Sequence, residues 1–217
     1  MVEPRGQYQI LVMSEKDRST EEKILEAAHR IFVEKGMAGA RMQQIADEAG
    51  INKSLLHYYY RSKDKLFLAV FRLAIQDFIP GIKGIIYSKI TVYEKLDRFI
   101  HEYMDVLLSK PFVPMFILQE IQRDPERLFN VFLEAGIRPD HIMKEFDRSI
   151  EKGFIRDVDP RHLIINVLSL CIFPIAARPM MQRMFFENDP NAYQHFLNQR
   201  KTVVSDFVIN AIKPCND

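Results

Sequence analysis

Residues 41–67 read RMQQIADEAGINKSLLHYYYRSKDKLF, and the order of apolar, glycine and capping residues in this stretch decides the fold. Ile45, Ala46 and Ala49 stand at i, i+1 and i+4, which on a 3.6-residue period makes one narrow apolar face of a short helix. Gly50 follows at once, and glycine accepts the left-handed backbone at a helix C-terminus without a Cβ clash. Asn52 then offers a side-chain oxygen to the free amides of a new helix start, so Lys53 to Tyr60 is expected to be a second helix entered through a tight turn.

On that second helix Leu56 and Tyr60 share a face by i, i+4 spacing and should point inward, with Ile51 leading in. The other side carries Lys53, Ser54, His57 and Tyr58, a cation, a hydroxyl, an imidazole and a phenol, groups suited to base edges and phosphates. Lys63 and Lys65 open the next helix, where free amides and ammonium groups together favour phosphate. A short αα-corner with a solvated polar face would show the same pattern, since helix-turn-helix geometry also occurs in proteins that never touch DNA.

With ILEAAHRIFVEKG ahead of it, IADEAGINKSLLHYYY within it and KDKLF after it, this region resembles the N-terminal domain of the tetracycline repressor (TetR) family of transcriptional regulators. The likeness covers about the first third of the chain. It implies an all-α protein: an N-terminal three-helix helix-turn-helix domain joined by a fourth helix to a C-terminal helical ligand-binding and dimerisation domain. Carried over by position, it implies DNA contacts from Arg41, Gln43, Lys53, Ser54, Leu55, His57, Tyr58, Tyr59 and Lys63. Two departures bear on these. The family's hydroxyl pair before the first reading helix is Ala40–Arg41 here, leaving Arg41 to take its place as a phosphate ligand. His57 stands where the family usually has tyrosine, which would make that contact pH-sensitive.

The 217 residues carry a net charge of +1 and are 47% hydrophobic, enough to bury a sizeable core and too apolar for a disordered chain. A pI near 7.8 excludes a strongly basic coat but not a local basic patch. Two cysteines, Cys171 in an apolar run and Cys215 near the end, form neither a disulfide framework nor a metal-ligand spacing, so a reducing, cytoplasmic location is expected. The longest apolar stretch, 163–177, is interrupted by Asn166, Ser169 and Pro174 and falls short of the roughly 20 residues of a bilayer span, so no membrane partner is expected. No targeting signal is evident at the N-terminus.

In chain order, residues 1–18 read as an N-terminal extension, with Met13 a natural start in its own right; 19–62 as the helix-turn-helix domain; and 63–217 as the ligand-binding and dimerisation domain. Ser19 and Glu22 form a capping box before an amphipathic helix ended by Gly36. The fourth helix runs from Ser62 or Lys63 to about Ile79, where Pro80 and Gly81 interrupt it. Thr91 and Glu94 cap a helix closed by Pro111, and a shorter one covers 114–123. Asp124–Pro125, Asp159–Pro160 and Asp189–Pro190 each have the cap-then-proline order of a helix start, and Gly136 with Pro139 separates off a helix over 140–152. No segment alternates long enough to be a strand.

The helix over 160–178 is apolar almost all round, and the last helix has a broad apolar face that includes Val204 and Phe207. Either both are buried within one chain or they meet their copies across a two-fold axis; the family resemblance implies the dimer. Phe78, Tyr103, Met104, Phe116 and Phe173 are the expected lining of a pocket for a small hydrophobic effector. No glycine-rich phosphate loop, H-E-x-x-H, cysteine cluster or nucleophile elbow is present, which argues against an enzyme, and no cofactor is implied. Two functions remain: a ligand-responsive regulator, most simply a repressor, binding a palindromic DNA operator as a homodimer, or a helical dimer that binds small molecules without reading DNA sequence.

Overall fold

A computed structural model describes residues 15–76, 78–110 and 113–214, with side chains except at 15–18, 74, 75, 113, 115 and 116; among these there are twelve helices and no strand. Two compact units divide between Phe71 and Arg72, a point inside the fourth helix.

In the first unit, α1 (Glu15–Gly39) is joined to α2 (Met42–Glu48), α3 (Lys53–Tyr59) and the start of α4 (Lys63–Gln76). α1 begins ahead of Ser19, so the Ser19/Glu22 pair lies inside the helix rather than at its start. Gly36 breaks the helix with φ 65° and ψ 175°, beyond the reach of a β-carbon-bearing residue, and one further turn follows it. The core of this unit is Ile24, Ala28, Phe32, Ile45, Leu56 and Phe67, all buried, with the Phe32 and Phe67 rings edge to face at 5.1 Å.

The second unit holds α5 (Ile79–Ile86), α6 (Val92–Ser109), α7 (Val113–Arg123), α8 (Pro125–Glu134), α9 (Pro139–Glu151), α10 (Pro160–Ala176), α11 (Arg178–Phe185) and α12 (Pro190–Ile212). α6 packs on both α10 and α12. Leu96, Ile100, Met104 and Leu107 from α6 meet Val167 and Cys171 from α10 and Leu197, Val204 and Val208 from α12. Burial pushes the Cys171 thiol up to about 12, consistent with a small core side chain rather than a nucleophile. Cys215 lies outside the described residues.

The caps of this unit are local chemistry. Thr91 Oγ1 accepts from the Glu94 amide while Glu94 Oε2 accepts from the Thr91 amide, at 3.2 and 2.9 Å. Asp124, Asp159 and Asp189 accept from the amides of Arg127, Arg161 and Asn191. Hydrogen bonds from the Arg161 side chain and amide hold the Asp159 carboxyl at about 2.

Two helices of the second unit differ from expectation. Pro80 sits in the first turn of α5, where its missing N–H costs nothing, so it opens a new helix rather than only interrupting the fourth. Pro179 does the same for α11, which meets α10 at 74°. No single helix among the described residues is long and apolar enough to cross a membrane.

Candidate nucleic-acid interface

The turn between α2 and α3 is built by the two residues that flank Ile51. Gly50 has φ +67°; its amide donates to Asp47 O and that of Ile51 to Ala46 O, at 3.1 and 3.0 Å, satisfying carbonyls at the end of α2. Asn52 Oδ1 then accepts from the Leu55 amide at 2.8 Å and starts α3. Ile45 and Ala46 on α2 and Leu56 on α3 are fully buried, which fixes the rotation of both helices about their axes.

That rotation leaves Lys53, Ser54, His57 and Tyr58 on the solvent side, Tyr58 at 78% exposure, while Leu55 and Tyr59 are half-buried. The Tyr58 and Tyr59 rings meet edge to face at 5.6 Å. Tyr60 turns inward and donates its hydroxyl proton to Glu21 Oε1 at 2.7 Å, tying the end of α3 to α1. Burial first, and the Glu21 carboxylate second, raise the Tyr60 phenol well above its ordinary range. On the other side of the motif, Arg30 Nε bonds Glu48 Oε1 at 2.8 Å and holds α2 against α1.

Arg41 is exposed at the head of α2, its amide donating to Gln44 Oε1 at 3.3 Å. Gln43 is also exposed and donates from Nε2 to Asp47 Oδ1 at 2.8 Å. Lys63 is placed differently from the solvent-directed ligand expected: its ammonium donates to Ala40 O at 2.9 Å and closes the turn between α1 and α2. Lys65 is exposed, and so is Arg61 in the turn before α4, a cation that the helix-centred reading of the sequence passed over.

The C-terminal candidates with described side chains do not form one site. Phe78 stacks on Tyr103 with centroids 5.9 Å apart, Met104 is wholly buried in the core, and the Phe116 side chain lies outside the described residues. Phe173 is exposed on α10 and lines a groove with Phe207. None of the other four, Phe78, Tyr103, Met104 and Phe173, lines the apolar cavity of ≈130 Å³ between α5, α6, α9 and α10, whose wall includes Phe99, Ile142, Phe146, Ile164, Val167 and Leu168. Lys95 also lines it, a cation three residues after Val92 and four before Phe99 on the apolar stripe of α6, and that break in the stripe is the sequence signal that could have found the site.

Of the two interface candidates, Phe207 is 64% exposed, whereas Val204 is at 2% and packs into the core of its own chain. Val203, one residue earlier and i−4 to Phe207, is the exposed valine. The correction is one of helix phase: α12 is apolar on two sides, with Val204 and Val208 inward and Val203 and Phe207 outward. Ile165, Leu168 and Phe173 are exposed on α10 as well.

Residues 24–70 match the family model for bacterial regulatory proteins of the tetR family. The HTH-type transcriptional repressor NicS of Pseudomonas putida is 37% identical over 166 residues, 75% of this chain and 78% of NicS. The chain belongs to the tetR family.

As a tetR-family protein it is a helix-turn-helix DNA-binding transcriptional regulator, and its family and relatives are regulators rather than enzymes. RutR of Escherichia coli K12 is 26% identical over 160 residues, 66% of this chain and 68% of RutR. The transcriptional activator FasR of Mycolicibacterium smegmatis matches over 84 residues at 29% identity, so this chain spans only 38% of FasR in that match. Two solved structures share the tetR fold: PfmR from Thermus thermophilus, with a TM-score of 0.64 and 20% identity over 95% of this chain and 100% of that one, and FadR from Bacillus subtilis in complex with stearoyl-CoA, with a TM-score of 0.64 and 17% identity over 86% and 96%.

Proposed function

We propose that this tetR-family protein is a ligand-responsive repressor that binds a palindromic operator in the cytoplasm as a homodimer and leaves it when a small effector occupies the C-terminal unit. The observation that carries this reading is the polar side of α3. A seven-residue helix capped by Asn52 and pinned by buried Leu56 presents Lys53, Ser54, His57 and Tyr58 together to solvent. Lys53 and Arg41 take phosphates; Ser54, Leu55, His57, Tyr58, Tyr59 and Gln43 meet base edges and the sugar-phosphate backbone, the division of labour usual when a short helix enters the major groove.

A homodimer is supported by the uncovered apolar side chains of α10 and α12, Ile165, Phe173, Val203 and Phe207. A two-fold axis through that face imposes matching half-sites on the duplex. Repression is favoured over activation by the extent of the likeness to NicS, a repressor by name, against the short match to the activator FasR. An effector role for the second unit is supported by its cavity and by FadR, a protein of the same fold that holds stearoyl-CoA. α4 is continuous across the division between the units, so a shift of its C-terminal end would be passed to the reading unit along one helix. To empty a nearly full operator the effector must favour the released conformation by about 5.5 kcal/mol.

The test is selection of bound fragments from the native genome in excess random duplex, followed by titration of the recovered site. Recovery of a palindromic sequence supports the reading. Recovery of no preferred sequence leaves a small-molecule-binding helical dimer.

A further inference from the structure

The ≈130 Å³ cavity does not stand alone. Ile86, Val92, Lys95 and Glu145 line both it and a neighbouring groove of ≈670 Å³, so the two spaces meet at the Lys95–Glu145 pair. The cavity is walled by aliphatic and aromatic side chains and is about the size known to hold one benzene-sized group. The groove has the opposite character. Lys89, Lys95, Arg148 and Lys152 line it against one carboxylate, Glu145, with Tyr87, Tyr93 and His141 between them.

The charges in the groove are not equivalent. Lys95 is already engaged: its largely buried ammonium donates to Ile86 O at 2.7 Å and pairs with the Glu145 carboxylate. Glu145 is thereby neutralised as well, which leaves nothing at the junction to attract a cationic ligand. Lys89, Arg148 and Lys152 are exposed, and among the described residues none of them has a carboxylate partner, Lys152 instead lying 6.0 Å over the Phe154 ring. An apolar chamber that opens into three unneutralised cations suits a molecule with two ends.

We propose that the effector is an amphiphilic anion, with a ring or short acyl group of roughly benzene size in the cavity and a carboxylate or phosphate head on Lys89, Arg148 and Lys152. The proposal rests on the effector reading given above and narrows it from a hydrophobic molecule to an acidic one with a small apolar end. The volume between Phe99, Phe146 and Val167 suits a ring or short chain better than a long unbranched one. A neutral isostere would fill the cavity but leave the groove empty.

The experiment is calorimetric titration of the full chain, without DNA, with three probes: phenylacetate, hexanoyl-coenzyme A, whose head adds phosphates, and phenylacetamide as the neutral match. At least one anion should bind saturably, and phenylacetamide should bind more weakly than phenylacetate. A K89A/R148A/K152A variant, changed only at exposed positions, should lose about tenfold or more in affinity for the better anion, as expected for removal of charge-assisted contacts. Phenylacetate alone binding assigns a simple carboxylate head, and the coenzyme A ester alone binding assigns a phosphorylated one. Failure of both anions at millimolar concentration, equal binding of the amide and the acid, or undiminished anion binding in the triple variant would each overturn the proposal. Operator affinity is then measured with the bound anion present. If it does not change, the repressor-release reading fails while the site stands, so the two failures are distinguishable.

Discussion

Arg200 Nη2 on α12 donates to Leu170 O on α10 at 2.9 Å, and Leu170 is the residue whose helical donor would be the amide of Pro174. Proline has no N–H, so the guanidinium of one helix supplies the donor missing from another. Tyr193 donates its hydroxyl proton to Pro174 O, a separate carbonyl near the end of the same helix. The apolar helix α10 thus carries a proline in its last turn with the Leu170 carbonyl still paired.

Arg200→Met keeps the stem and removes the donor, and it should cost about 0.5–1.5 kcal/mol, the usual net worth of one hydrogen bond. Pro174→Ala restores an N–H to the helix, so the same Arg200→Met change should cost clearly less in that background. Urea unfolding of the four proteins closes the cycle. Equal losses in both backgrounds would mean that the Arg200 contribution comes from its guanidinium over the Phe196 ring and not from Leu170 O.

Asn52→Ala removes the side-chain cap of α3 and should lower stability by about 0.5–2 kcal/mol. DNA affinity should fall with it, because among the described residues no other side chain is seen to bond the first amides of this helix. Asn52→Asp retains an acceptor and should recover the stability, while its added negative charge near phosphate should leave affinity low. A shift assay beside thermal melting separates the two effects.

Tyr60 predicts a pH dependence. Its phenol is raised in the folded protein above the ordinary value of about 10. The folded state therefore keeps a proton that the unfolded chain gives up, and the contribution is whole below about pH 10 and lost as pH rises beyond it. Unfolding free energy should fall from pH 10 upward, and less steeply in Tyr60→Phe. Cys171, Tyr103 and Tyr193, each raised chiefly by burial, work in the same direction and together set the slope that remains.

The reading motif was legible because its signals are local. Gly50 and Asn52, Thr91 with Glu94, and the aspartate–proline pairs act within three residues of themselves, and a sequence displays that range directly. Pro80 was ambiguous for the same reason, since proline suits both the end of one helix and the first turn of the next. What was not legible depends on how helices are rotated against one another. On α12 the apolar residues occupy two sides, and nothing in the string says that Val204 faces in while Val203 faces out. The cavity is set by α5, α6, α9 and α10 together, so spacing on any one helix pointed instead to Met104 and Tyr103, which are core.

The phase of α12 gives its own test. Val203→Glu with Phe207→Glu should yield a folded monomer with weak operator binding, because both side chains are exposed in a single chain. Val204→Glu should instead destabilise the fold, since it places a charge inside the core. Light scattering and melting distinguish these outcomes. A dimer that survives the double substitution moves the interface off this face.

The central claim is that the exposed side of α3 reads DNA sequence, and a competition shift assay at fixed salt tests it most directly. A selected operator fragment, held by the wild-type protein against a large excess of random duplex, is the expected result. Lys53→Ala should weaken that complex and flatten the dependence of affinity on salt by about one counterion per half-site. Tyr58→Phe should weaken it more modestly. Random duplex that displaces the operator as readily as unlabelled operator does, or a salt slope untouched by Lys53→Ala, would contradict the account.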